Sequence, residues 1–243
     1  MAMRVVVTDH ADEADRALAD ELAAALASAP APAIGVATGA TPRGGYRELV
    51  RRHRAGGLVA GSPSLWLVDE YVGLAPDDPR TYRAEVHREL ADPLGIARVH
   101  GPDAWATDAV AACDRFEAEV VAAGVDLQVL GIGRNGHIGF NEPGTRFDST
   151  TRRVRLSPTT RADNARHFQR PDDVPHLGIT QGIGTLLRAR RVVLVATGTA
   201  KADALAAAVD GPVSERCPAS ALRRHPDVLV LCDRAAAARL SPR

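Results

Sequence analysis

Residues 131–143 read Gly-Ile-Gly-Arg-Asn-Gly-His-Ile-Gly-Phe-Asn-Glu-Pro, and no other stretch of the 243-residue chain gathers as many residues suited to chemistry. Four glycines let backbone N–H groups approach a ligand closely. His137, displayed among them, can exchange protons near neutral pH. Glu142 follows five residues later, near enough in a loop to orient or charge the imidazole. Three other segments have a related character. Thr38-Gly39-Ala40-Thr41-Pro42 and Thr197-Gly198-Thr199-Ala200-Lys201 each place hydroxyls and a glycine at a helix start. Free N–H groups and the helix dipole suit a phosphate there, while threonine capping explains either loop taken alone. Asp69 and Glu70 are adjacent carboxylates, of which one is expected to face a crevice and the other the fold. A carboxylate in a partly dry cleft holds its proton more tightly and can take a carbon-bound proton. A cap or an ion pair is the plainer reading of the same pair. Lys201 is the only lysine among the 30 basic residues, and a compact point charge differs from a guanidinium in what it can grip.

These segments need elements that bring them together. Strands are expected at Met3–Thr8, Ala33–Ala37, Leu65–Val68, Arg98–His100, Leu127–Leu130, Val154–Leu156, Val192–Ala196 and Val228–Leu231. Helices are expected at Asp12–Leu26, Pro42–Arg54, Thr81–Leu90, Asp108–Ala123, about Thr159 to Phe168, Ala200–Val209 and Ala235–Leu240, from apolar spacing near 3.6. Alternating β and α segments with Val, Ile and Leu runs imply an α/β fold: a Rossmann-like, open, mostly parallel sheet with helices on both faces. The reactive segments each follow a strand. In an open parallel sheet the carboxyl ends share one edge, and ligands bind in the crevice there. The polar stretch Arg146–Thr160 has no core pattern and would suit a lid.

Bulk properties narrow the classes. The length fits one domain spanning residues 1–243. Thirty acidic residues balance the basic ones, so no global charge favours nucleic acid or an anionic membrane. No apolar run reaches transmembrane length, and the N-terminal apolar part is too short for a signal peptide. Three scattered cysteines give neither a disulfide framework nor a metal pattern, which fits a reducing cytoplasm. Walker A and nucleophile-elbow motifs are absent, and Gly131, Gly133 and Gly136 come late in the chain, with a histidine where a dinucleotide-binding helix should begin. His53, His87, His100 and His225 read as surface residues. A homo-oligomer stays open.

The motifs at 38–42, Val-Asp-Glu-Tyr-Val-Gly-Leu (68–74), 131–143, Asn-Ala-Arg-His-Phe (164–168), Gly-Ile-Gly-Thr-Leu-Leu (182–187) and Gly-Thr-Ala-Lys (198–201) together resemble the glucosamine-6-phosphate deaminase family, in its order and over about residues 34 to 233. The resemblance implies an aldose–ketose isomerising deaminase that makes fructose 6-phosphate and ammonia without metal or organic cofactor. It implies Asp69 as the C2 base and His137 as the ring-opening group, tuned by Glu142 and Asn135. Thr38, Gly39, Ala40, Thr41, Arg166 and Lys201 would hold the phosphate of an amino sugar phosphate. Asn135 stands where some members have Asp; it cannot ionise but can still orient His137. The C-terminal extension that helps longer members bind an acetylated activator has no counterpart, so no such activation is expected. A galactosamine-6-phosphate deaminase, a 6-phosphogluconolactonase-like hydrolase and a non-catalytic sugar-phosphate sensor are the rival readings.

Overall fold

The computed structural model describes residues 3–56 and 61–242. Ten strands are formed among them: β1 (Arg4–Thr8), β2 (Ala33–Val36), β3 (Ser64–Leu67), β4 (Asp69–Val72), β5 (Arg98–His100), β6 (Leu127–Gly131), β7 (Arg152–Arg155), β8 (Leu177–Thr180), β9 (Arg191–Ala196) and β10 (Val228–Asp233). The α-helices are α1 (Ala11–Ala27), α2 (Ala40–Arg54), α3 (Tyr82–Val86), α4 (Asp92–Leu94), α5 (Ala109–Ala123), α6 (Pro158–Asn164), α7 (Ile183–Leu186), α8 (Ala202–Val209) and α9 (Arg234–Ala237). Seven strands pair in parallel in the order β1-β10-β9-β6-β2-β3-β5.

The apolar runs have the composition of strands covered on both sides, and alternate side chains do enter different cores. Val192, Leu194 and Ala196 of β9 join one cluster, with Phe116 of α5 and Leu205 of α8. Val193 and Val195 join the other, with Leu18 of α1 and Leu49 of α2. Helices therefore lie on both faces, as expected. His225 departs from its surface assignment. It is buried, its Nδ1 accepts from the Asp227 N–H, and its Nε2 lies 2.7 Å from the Ala189 carbonyl. A histidine beside arginines in sequence was thus satisfied by backbone in the core.

The second sheet is the larger surprise. β4, β8 and β7 form an antiparallel sheet in the order β4-β8-β7. The sequence expectation stopped the third strand at Val68 and placed Asp69 in a loop. The chain instead passes directly from one sheet into the other. The Val68 N–H donates to the Val36 carbonyl at 3.2 Å, and the Val68 carbonyl accepts from Gln181 at 2.8 Å. Asp69 then pairs with Thr180 across β4 and β8. β7 runs through the polar stretch that resembled a lid, pinning its middle to β8.

Glu70 anchors this junction. It is 1 % exposed, and its carboxylate accepts the N–H groups of Tyr71, Tyr82 and Arg83, each at 2.8 Å. The last two belong to the first turn of α3, where backbone donors have no intrahelical acceptor. Of the adjacent pair, Glu70 therefore serves the fold. The expected single helix over Thr81–Leu90 is broken: a π-helical turn, His87–Ala91, separates α3 from α4. Glu70→Ala would strand three buried donors. We expect a loss of about 3 kcal/mol or more in unfolding free energy, from the cost of unmet buried donors, read as a lower urea midpoint at unchanged slope.

Candidate active site

A cavity of about 380 Å³ opens at the carboxyl ends of β9, β6, β2 and β3, four neighbouring strands of the parallel sheet. Thr38, Gly39, Ala40 and Thr41 form one wall, Thr197, Ala200 and Lys201 another, and Asp69, His137 and Arg166 also line it. Loops far apart in sequence meet because parallel strands all present the same end to one edge.

The two threonine-rich loops share one backbone design. Gly39 precedes α2 with φ 100°, and Gly198 precedes the 3₁₀ turn Thr199–Lys201 with φ 84°. Only glycine adopts such angles without strain. No side chain caps either start, so the threonine-capping explanation fails. In each loop a carboxylate takes the glycine N–H: Glu85 at 3.1 Å from Gly39, and Asp233 at 3.0 Å from Gly198. Beyond these bonds Thr38, Ala40, Thr41 and Thr197 line the cavity, and the first N–H groups of α2, which have no intrahelical acceptor, suit an anion. Lys201 and Arg166 add positive charge there. Burial lowers the Lys201 pKa from its usual value, and the Asp163 carboxylate nearby works against that effect.

His137 has a fixed tautomer. Its Nδ1 lies 2.7 Å from Asn135 Oδ1, while Asn135 Nδ2 donates to Glu142 Oε2 at 2.8 Å. A carboxylate only accepts, so the Asn135 amide must turn its NH2 to Glu142 and its oxygen to the imidazole. Nδ1 then carries the proton, and Nε2 is left as the basic nitrogen. Glu142 Oε1 also accepts from the Thr160 hydroxyl. Burial works against the Glu142 charge, yet the hydrogen bonds from Thr160 and Asn135 outweigh it and hold the carboxyl below its usual value. Burial lowers the His137 pKa, with Glu142 opposing, so the ring is neutral at pH 7. Asn135 and Glu142 do not line the cavity; they stand behind His137 and act through it.

Asp69 is the opposite case. It is 6 % exposed, and its carboxylate has no hydrogen-bond partner among the described residues. Burial, reinforced by the nearby Glu70 and Glu85 charges, raises its pKa well above the usual carboxylate value. A buried carboxylate at a cavity wall with nothing to stabilise its charge is a group poised to take a proton.

The model of the family described as glucosamine-6-phosphate isomerases/6-phosphogluconolactonase matches residues 7–230. The chain belongs to this family. Among curated relatives, the glucosamine-6-phosphate deaminase of Cutibacterium acnes is 47 % identical over 98 % of this chain and 93 % of its own. That of Streptomyces coelicolor is 47 % identical at the same coverage. A solved monomeric glucosamine-6-phosphate deaminase is 41 % identical and superposes with a TM-score of 0.95, covering 98 % of this chain and 100 % of its own. The 6-phosphogluconolactonase of Trypanosoma brucei, at 18 % identity and a TM-score of 0.78 over 98 % of this chain and 99 % of its own, shares the fold.

All ten site residues read from the sequence come together here, eight on the cavity wall and Asn135 and Glu142 behind it. Members of the same constellation escaped sequence reasoning. Thr160 holds Glu142, Asp163 lines the cavity and pairs with Arg134, and Tyr82 and Asn164 close one side. Asn164 stood inside a quoted motif; the others lie on helices whose orientation the sequence leaves open. No group of three or more His, Cys, Asp or Glu among the described residues is placed to hold a metal ion.

The raised Asp69 pKa has a stability consequence. Its proton is held more tightly in the folded chain, so stability is fully present below the unfolded value near 3.8 and declines as pH rises toward the folded value. Asp69→Asn removes that decline. The variant should unfold at a higher temperature than the parent at pH 8, with a smaller gain at pH 4.5. An equal difference at both values would show that burial of this carboxylate has no energetic cost.

Proposed function

We propose that this chain converts glucosamine 6-phosphate and water to fructose 6-phosphate and ammonia in the cytoplasm; its relatives carry the name glucosamine-6-phosphate deaminase. The observation that carries the reading is the presence, in one cavity, of an unpartnered buried carboxylate, Asp69, and a neutral imidazole of fixed tautomer, His137. The phosphate rests on the Thr38–Thr41 turn, with Lys201 and Arg166 supplying charge. This fixes the far end of the substrate and orients the sugar. His137 Nε2 takes the proton of the C1 hydroxyl and returns it to the ring oxygen, which opens the pyranose. Asn135 keeps Nδ1 protonated, and Glu142 offsets the positive charge as it develops.

Asp69 then removes the C2 proton, giving an enolamine. A proton delivered to C1 leaves an imine at C2, and water replaces the nitrogen to release ammonia. A base with raised proton affinity suits a weakly acidic carbon, because proton transfer is best driven when donor and acceptor are closer in strength. Two carboxylates near 69 thus divide the work: Glu70 is spent on backbone, and Asp69 is free for substrate. Opening a 6-phosphogluconolactone needs water at C1 and no C2 base, so that reaction leaves Asp69 without a task. Three free, buried cysteines support a reducing compartment.

An assay coupling fructose 6-phosphate and ammonia formation tests this directly. The chain should release both in equal amounts from glucosamine 6-phosphate. Asp69→Asn should lower turnover by about 10³-fold or more, the scale of a positioned general base, with KM little changed. Release of neither product from glucosamine 6-phosphate or its galactose epimer would end the proposal.

A further inference from the structure

The turn that opens α2 needs a holder, because its first residue cannot supply one. Gly39 stands at the N-cap position with φ 100° and ψ 178°, and having no side chain it cannot cap the helix it begins. Glycine also has the widest range of backbone conformations to lose on being fixed. Its N–H precedes the first helical residue and has no place in the intrahelical ladder. The bond it does make is to Glu85 Oε1, at 3.1 Å, across 46 residues of sequence.

Glu85 is itself held from both sides. It lies in α3, whose first turn is tied down by Glu70. Its Oε1 also accepts from Arg43, at 3.1 Å, and Arg43 belongs to α2, about one turn beyond Gly39. Gly39, Glu85 and Arg43 thus close a ring, in which a carboxylate from one helix does for another what an N-cap side chain does within it. The Arg43 and Glu85 side chains are only 23 % and 16 % exposed, so neither swings freely in solvent. Arg43 also offsets the Glu85 charge, which would otherwise repel an anion at the turn. The Thr197 turn repeats the arrangement, with Asp233 on the N–H of Gly198, and residues of both turns line the main cavity. Asp233 caps α9 as well, through the Ala236 N–H. Among the described residues, the backbone group that Glu85 takes is that of Gly39 alone.

We infer that Glu85 is a positioning residue for phosphate recognition: it acts through Gly39, holding the Thr38–Thr41 turn in the shape that receives the anion. The inference rests on the proposed seat of the phosphate at that turn. A preformed turn need not be ordered at the moment of binding, so loss of its holder is read as weaker binding and not as slower chemistry.

The test compares Glu85→Ala with Glu85→Gln, by calorimetric titration with inorganic phosphate and by turnover of glucosamine 6-phosphate. Both variants lose the ionic bond to Arg43, so a role limited to that bond would make them alike. Only Gln keeps an oxygen that can take the Gly39 N–H. Glu85→Ala should weaken phosphate binding and raise KM by roughly tenfold, the scale of a lost helix cap, with kcat near that of the parent. Glu85→Gln should return phosphate affinity and KM to the parent's range. Phosphate affinity in Glu85→Ala no weaker than the parent's, or equal weakening in both variants, would overturn the inference. A parent that releases no ammonia and yet gives this pattern with phosphate would sink the deaminase reading and leave the inference standing.

Discussion

The site depends on one fully met carboxylate standing next to an unmet one. Glu70 binds three backbone N–H groups, and in doing so ties β4 to the start of α3. With that junction fixed, and Val68 bonded into both sheets, Asp69 has no freedom to swing toward solvent or toward a cation. Its carboxylate stays buried at the cavity wall, without a hydrogen-bond partner among the described residues. Folding free energy is thereby diverted into raising the proton affinity of one side chain, a cost carried at functional sites and offset elsewhere in the structure.

A parallel sheet supplies the rest. β9, β6, β2 and β3 are neighbours, so four loops that are up to 160 residues apart meet without long excursions. The Thr38 and Thr197 turns use the same solution: a left-handed glycine whose N–H is held by a carboxylate. That bond fixes the glycine at the start of each turn. Asn135 adds a constraint of another kind. Trapped between a carboxylate and an imidazole, it has one permitted orientation, and so dictates which nitrogen of His137 is basic.

Much of this was legible beforehand, for identifiable reasons. Runs such as Val192–Ala196 and Leu127–Leu130 are apolar on both alternations, which fits a strand buried on both faces, and they located the parallel sheet. Glycine and hydroxyl clusters after such runs located the Thr38 and Thr197 turns that line the cavity. The second sheet was not legible. Asp69–Val72 and Leu177–Thr180 are four-residue strands carrying Asp, Glu and Gly, and their pairing is a contact over more than 100 residues that local pattern does not encode. Likewise, that Asp69 rather than Glu70 faces the cavity follows from where α3 begins. Thr160 and Asp163 became site residues only because α6 packs its inner face on the His137 loop. His225 escaped for the opposite reason: its partners are backbone atoms, invisible in side-chain pattern.

The central claim is that Asp69 takes the proton from C2. Glucosamine 6-phosphate deuterated at C2 tests it most directly, followed by nuclear magnetic resonance with the parent chain and with Asp69→Asn. The parent should move the label off C2 as ammonia appears, while the variant binds the sugar phosphate and leaves the label in place. Loss of the C2 label by Asp69→Asn at the parent's rate would contradict the account.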